Sequence, residues 1–199
     1  MNGVALPDTE RRREAPGQSA GQLVWLTLAT VIAGLPHYVH MAPWIPPLAL
    51  GIAGWRIHAA VTRRGLPGTW LRIPLTLLVF AAVVVTYRQV SGLDAGSALL
   101  LVMVSLKLLE TRGSRDRAVV VFMCYFLLFA AFLRDQPLWS GLWLIAGVLV
   151  TTASLLQIAR ENSVIAPREA LAEAGSLMLQ AAPLMLLLFL LFPLSLIHI

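Results

Sequence analysis

Seven apolar runs, each 15 to 21 residues long and parted from the next by a short stretch of charge and turn formers, constrain this 199-residue chain more than anything else in it. They are Leu23 to Val39, Ile45 to Val61, Ile73 to Tyr87, Ala95 to Leu109, Ala118 to Leu133, Leu138 to Ile158 and Leu177 to Phe192. A water-soluble globule of this size could not hide 58% hydrophobic and only 13% charged residues in one core. Lipid is the expected solvent, because a helix crosses the hydrocarbon with about 20 residues, range about 17 to 25. In lipid each run must be helical, since every backbone N–H and C=O left unpaired there costs several kcal/mol. The expected fold is therefore all-α, a polytopic transmembrane helical bundle of about seven spans. The count falls to five if two weak spans fail together. The weakest run is Ile45 to Val61, which holds Pro46, Pro47, Arg56 and His58.

The connectors carry the boundary signals. Pro43-Trp44, Gly65-Leu66-Pro67-Gly68, Ser91-Gly92, Arg112-Gly113-Ser114, Asp135-Gln136-Pro137 and Asn162 to Pro167 supply turn formers or charge. They also carry the orientation. Cytoplasmic loops accumulate Lys and Arg. With the N-terminus inside, that side holds Arg11, Arg12 and Arg13; Arg56, Arg63, Arg64 and Arg72; Lys107, Arg112, Arg115 and Arg117; and Arg160 and Arg168. The opposite side holds only Arg88 and Arg134 of the 15 basic residues. This division puts the N-terminus in the cytoplasm and brings the last span out at Phe192-Pro193 on the periplasmic face. Trp44, Trp70, Tyr87 and Trp139 lie at run ends, where amphipathic rings favour the headgroup level, while Trp55 and Trp143 lie deeper.

The same distribution excludes other classes. A net charge of +5 does not indicate nucleic acid here, because the basic residues sit between apolar runs rather than along one face. The tail before the first run has Arg11 to Arg13 ahead of apolar residues but no small-residue cleavage site after them. It reads as a disordered cytoplasmic tail, residues 1–22, before an uncleaved helix. Cys124 is the only cysteine, so no disulfide framework is possible. Its apolar surroundings disfavour a thiolate and leave it unreactive. His37 and His40 share a spacing of three, with His58 in the next run, but no carboxylate accompanies them and a transition-metal site needs three or four convergent ligands. No metal and no cofactor is expected. Gly51, Gly54 and Gly147 sit among small residues and could permit close helix approach.

Residues 101–136, LVMVSLKLLETRGSRDRAVVVFMCYFLLFAAFLRDQ, are the most distinctive segment. Lys107, Glu110, Arg112, Arg115, Asp116 and Arg117 fall within eleven residues between two apolar runs. Two readings stand. One is a turn at the membrane surface, with Lys107 laying its stem along lipid and Glu110 neutralising it one helical turn later. The other is an ion-pair clamp of Lys107, Glu110, Arg115 and Asp116 between the fourth and fifth spans, since charge within the membrane is costly unless paired. Neither is catalytic.

This segment resembles the N-terminal membrane domain of the bacterial TgpA-like transglutaminase-fold proteins. The resemblance extends from about Trp25 to Pro193 and rests on Lys107, Leu108, Leu109, Glu110, Arg115, Asp116, Tyr125, Phe126, Phe132 and Gln136. It implies a multi-span domain in the bacterial inner membrane followed by a periplasmic papain-like domain with a Cys-His-Asp triad. No triad residue is carried over to this chain, so it implies a membrane domain, residues 23–193, without an active site, orienting a catalytic domain joined to it in cis. Residues 194–199, Leu-Ser-Leu-Ile-His-Ile, are what a common transposase adapter encodes in frame, and read as a scar of sequencing. The expected partners are the bilayer, the periplasmic domain and other membrane proteins, not nucleic acid. The rival reading is a small transporter or channel. It would need polar groups at mid-membrane depth, for which Ser105, Thr86 and Gln180 are the candidates.

Overall fold

In the computed structural model, which describes residues 16–62, 69–88, 92–134, 138–160 and 166–197, the described residues form helices and short connectors with no strand. Among the described residues there are seven helices: α1 (Pro16–Tyr38), α2 (Ile45–Thr62), α3 (Thr69–Tyr87), α4 (Leu93–Glu110), α5 (Ser114–Arg134), α6 (Leu138–Ala159) and α7 (Pro167–Ile197). Each coincides with one apolar run. Four are long and apolar enough to cross a membrane, through Ala20–Tyr38, Ser114–Arg134, Ser140–Ala159 and Pro167–Leu188, and Ile73–Tyr87 is a shorter apolar stretch. The chain is a membrane protein by this measure. α2 and α4 are 18 residues each and carry charges within their length.

Proline placement explains several boundaries. α1 and α7 open on Pro16 and Pro167, where the missing N–H costs nothing because a first-turn N–H has no intrahelical acceptor. Pro46 and Pro47 lie in the first turn of α2 for the same reason, so the run weakest in sequence still forms a complete helix. α1 begins at Pro16, before the expected Leu23, while residues 1–15 of the expected tail lie outside the described residues. At the other end, α7 continues through Ile197.

α1 is the central post. It packs against α2, α4, α5 and α6, with α3 placed outside α4 and α7 outside α6. Leu26, Ala29 and Ala33 of α1 are fully buried, and the core around them is built from Leu101, Val104 and Leu108 of α4 and Val120, Val121, Leu127 and Leu128 of α5. Small residues let the helices close. A Cβ added at Gly147 on α6 would come within 2.5 Å of the Leu128 side chain, and one at Gly34 on α1 within 2.9 Å of Leu101 Cδ1. The close approach expected at Gly51 and Gly54 is absent, since an added Cβ there meets nothing within 4 Å. Both face away from the α1 and α4 contacts that Ile52 and Ala53 bury. A small-residue spacing arises by chance in Gly- and Ala-rich apolar helices, so only packing shows which instance is used.

α7 differs from the others. Ala170 and Ala174 seat its first turns on Ala153 of α6, but Leu177, Leu179 and residues 184–188 are exposed. At about 1.5 Å per residue, its 31 residues extend roughly 46 Å, more than a hydrocarbon layer of about 30 Å.

Candidate functional site

The charged groups of the described residues gather at the two ends of the bundle. At the end where α1 begins, Gln22 Nε2 donates to the Gln157 carbonyl at 2.7 Å, tying the start of α1 to the end of α6. Arg160, just past α6, pairs with Glu173 of α7. At this same end α4 finishes, α5 starts and the charged 107–117 segment lies.

Arg56 is the residue of that end whose role the sequence did not show. It is not a connector charge but sits inside α2, only 5% exposed. Its Nε donates to the Leu108 carbonyl at 3.1 Å, and Nη2 donates to the Thr111 carbonyl at 3.1 Å and the Thr111 hydroxyl at 3.4 Å. These carbonyls belong to the last turn of α4, which has no further N–H groups to satisfy them. A guanidinium with fixed, forked donors matches them, and its charge complements the negative end of the α4 dipole. Arg56 therefore works as a C-cap supplied in trans, from α2 to α4. Buried Arg117 of α5 lies near enough for the two charges to oppose each other.

Around this cap, Lys107 Nζ lies 3.3 Å from Glu110 and 3.6 Å from Asp116, so one lysine links α4 to the first turn of α5. The Arg112 amide also donates to Asp116 Oδ2 at 3.4 Å. Arg115 is exposed and joins none of these pairs. The arrangement combines features of both sequence readings. It bridges α4 and α5, yet its members are partly exposed and Lys107 lies at the rim.

The opposite end is held by different contacts. Arg134, at the end of α5, pairs with Asp94 at the start of α4, and its Nη2 donates to the Ser97 hydroxyl at 3.2 Å. Tyr87, at the end of α3, receives the Ala42 amide on its hydroxyl at 3.1 Å. His37 Nε2 donates to the Leu127 carbonyl at 2.9 Å, which fixes the proton on Nε2 because a carbonyl can only accept. That bond commits His37 Nε2 to α5. Among the described residues, no three His, Cys, Asp or Glu side chains come together as a metal ligand set.

Between the ends, Cys124 is fully buried with its Sγ 3.6 Å from the Thr30 hydroxyl, and Tyr125 bonds Thr152 at 2.8 Å. The three polar residues that a transport pathway would have used turn back on their own helices. Ser105 donates to Leu101, Thr86 to Ala82, and Gln180 to Ser176. They lie on α4, α3 and α7 and do not converge.

Trp143, too deep for a headgroup anchor, has a specific partner. Pro36 lacks an N–H, so the Ile32 carbonyl one turn earlier in α1 loses its helical donor. The Trp143 indole Nε1 takes that place from α6, donating to Ile32 at 3.1 Å. A freed carbonyl in a membrane helix is tolerated when a neighbour resatisfies it.

The comparisons with known proteins bear on the whole bundle rather than one cleft. No solved structure matches the chain. Over 171 residues it is 39% identical to a protein-glutamine gamma-glutamyltransferase of Pseudomonas aeruginosa, an alignment covering 86% of this chain and 26% of that protein. The chain thus spans about a quarter of the length of the curated relative it matches. The family described as TgpA N-terminal domain matches residues 25–196, from within the first apolar run to beyond the last, and the chain belongs to that family.

Proposed function

We propose that this bundle is the membrane domain of a transglutaminase-like protein, and that it anchors and orients a periplasmic papain-like catalytic domain joined to its C-terminal side. Family membership supports the assignment, as does the enzyme name of the relative, of which this chain matches about a quarter. In this reading the chain contributes position rather than turnover. The catalytic Cys, His and Asp belong to the attached domain, and buried Cys124 serves packing.

The observation that carries the orientation is the division of basic residues, thirteen against Arg88 and Arg134. The contacts across the bundle keep these two groups apart: Arg56, Lys107, Arg117 and Arg160 engage partners at the end where α1 begins, and Arg134 engages Asp94 at the other. The basic end faces the cytoplasm under the positive-inside rule, all seven helices span the inner membrane, and α7 delivers the attached domain to the periplasm.

Two reporters fused after Pro193 test this. Alkaline phosphatase, active only in the periplasm, is expected to be active, and a green fluorescent protein that folds only in the cytoplasm is expected to be dark. The reverse pattern refutes the anchoring role.

A further inference from the structure

A groove of about 380 Å³ opens between α1, α5 and α6 at the end of the bundle away from the N-terminus. Its walls are apolar, from Leu35, Leu128, Phe132 and Leu144, while Arg134 and Ser140 line it from the terminal turns of α5 and α6. From Leu128 to Arg134 is six residues, or on the order of 9 Å along the helix axis, over which the lining passes from hydrocarbon to guanidinium. The groove is held open by specific chemistry. Pro36 frees the Ile32 carbonyl, the Trp143 indole bonds it at 3.1 Å, and the indole ring is thereby fixed as one wall. Ala131 leaves the α5 side shallow.

One polar atom of the lining lacks a partner: Arg134 Nε is buried and unbonded although the rest of that guanidinium holds Asp94 and Ser97. The size excludes a helix as occupant, because roughly 9 Å of helix about 10 Å across fills on the order of 700 Å³. A single chain fits, and a guanidinium at the polar end suits phosphate.

We propose that this groove binds one membrane phospholipid, with an acyl chain along Leu128 and Phe132 and the phosphate at Arg134. The site does not depend on the orientation proposed above, since both leaflets present phosphate headgroups. Lipid held there would lock α1, α5 and α6 at the position where Pro36 interrupts α1.

The 199-residue chain, purified in detergent with phosphatidylglycerol and weighed intact by native mass spectrometry, gives the test. The wild type is expected to retain one phospholipid. Ala131→Phe, which fills the groove, is expected to lower occupancy at least about tenfold, while Val119→Phe, in a separate groove between α3, α4 and α5, leaves it unchanged. Arg134→Gln is expected to weaken binding about tenfold and Arg134→Lys to restore most of it. Diacylglycerol, which lacks the phosphate, is expected to bind at least about tenfold more weakly than phosphatidylglycerol. Unreactive Cys124 and unchanged helicity report that each variant is folded. A folded Ala131→Phe protein with wild-type occupancy, a wild type that retains no lipid, or diacylglycerol binding as well as phosphatidylglycerol would each overturn the proposal.

Discussion

Replacing Arg56 with Met separates a cap from a tolerated charge by the sign of its effect. Met has nearly the length of the Arg stem, so the change removes donors with little change in packing. In the folded protein Arg56 gives two charge-assisted bonds to carbonyls at the end of α4, each with a net worth of about 1.5–3 kcal/mol. These net values already include the dehydration of the guanidinium. Leu108 keeps one donor after the substitution, the Thr111 hydroxyl at 2.8 Å, but the Thr111 carbonyl loses its Arg56 donor. The expected loss for Arg56→Met is therefore that of the two bonds, about 3–6 kcal/mol, with Arg56→Lys intermediate because an ammonium cannot span both carbonyls. Were Arg56 facing lipid, its burial would cost about 2.5–3.5 kcal/mol and Met would stabilise the protein by a similar amount. Unfolding by sodium dodecyl sulfate in mixed micelles measures the difference, followed by circular dichroism and by the reactivity of Cys124, whose burial makes it a built-in reporter. An Arg56→Met protein as stable as wild type, or more so, refutes the cap.

Three further outcomes are expected. Gly147→Val should destabilise by about 1–3 kcal/mol in the same assay because its side chain collides with Leu128, whereas Gly51→Val, which meets nothing, should lie within about 0.5 kcal/mol of wild type. Trp143→Phe should cost about 1 kcal/mol in the wild type and less in a Pro36→Ala background, where the Ile32 carbonyl regains an N–H; a double-mutant cycle showing no coupling contradicts the indole's role. The Lys107 pair with Asp116 is partly exposed, so Lys107→Gln should change stability by less than about 1 kcal/mol, and the change should shrink as salt is raised.

The helices were legible because their ends are written in residues with local consequences. Ile45, Tyr87 and Leu138 are boundaries both by apolar pattern and in the folded chain, since prolines, glycines and charges beside them stop a membrane helix by backbone chemistry alone. The neighbours of each helix were not legible. In lipid every face of a span is apolar, so the hydrophobic contrast that reveals a buried face in a soluble protein is missing. Nothing in the pattern distinguishes Gly147, which approaches Leu128, from Gly51, which approaches nothing. The central position of α1, the reach of Arg56 to α4 and the bond from Trp143 to Ile32 all depend on which helices meet. Two of these left a trace, however. An arginine within an apolar run and a proline with an unexplained deep tryptophan are each anomalies that a partner must resolve, and both were resolved by carbonyls. Lys107, Glu110 and Asp116 could be anticipated as neighbours from their spacing, while the exposure of Arg115 could not.

The central claim is that the helices thread the membrane with the basic end inside, and impermeant thiol labelling reads this directly. In a Cys124→Ser background, single cysteines replace Pro43, in the α1–α2 connector, and Gly113, in the α4–α5 connector; both positions are exposed. Pro43→Cys is expected to label in intact spheroplasts, and Gly113→Cys only after the membrane is permeabilised. Labelling of Gly113→Cys in sealed spheroplasts, with Pro43→Cys protected, would contradict the account.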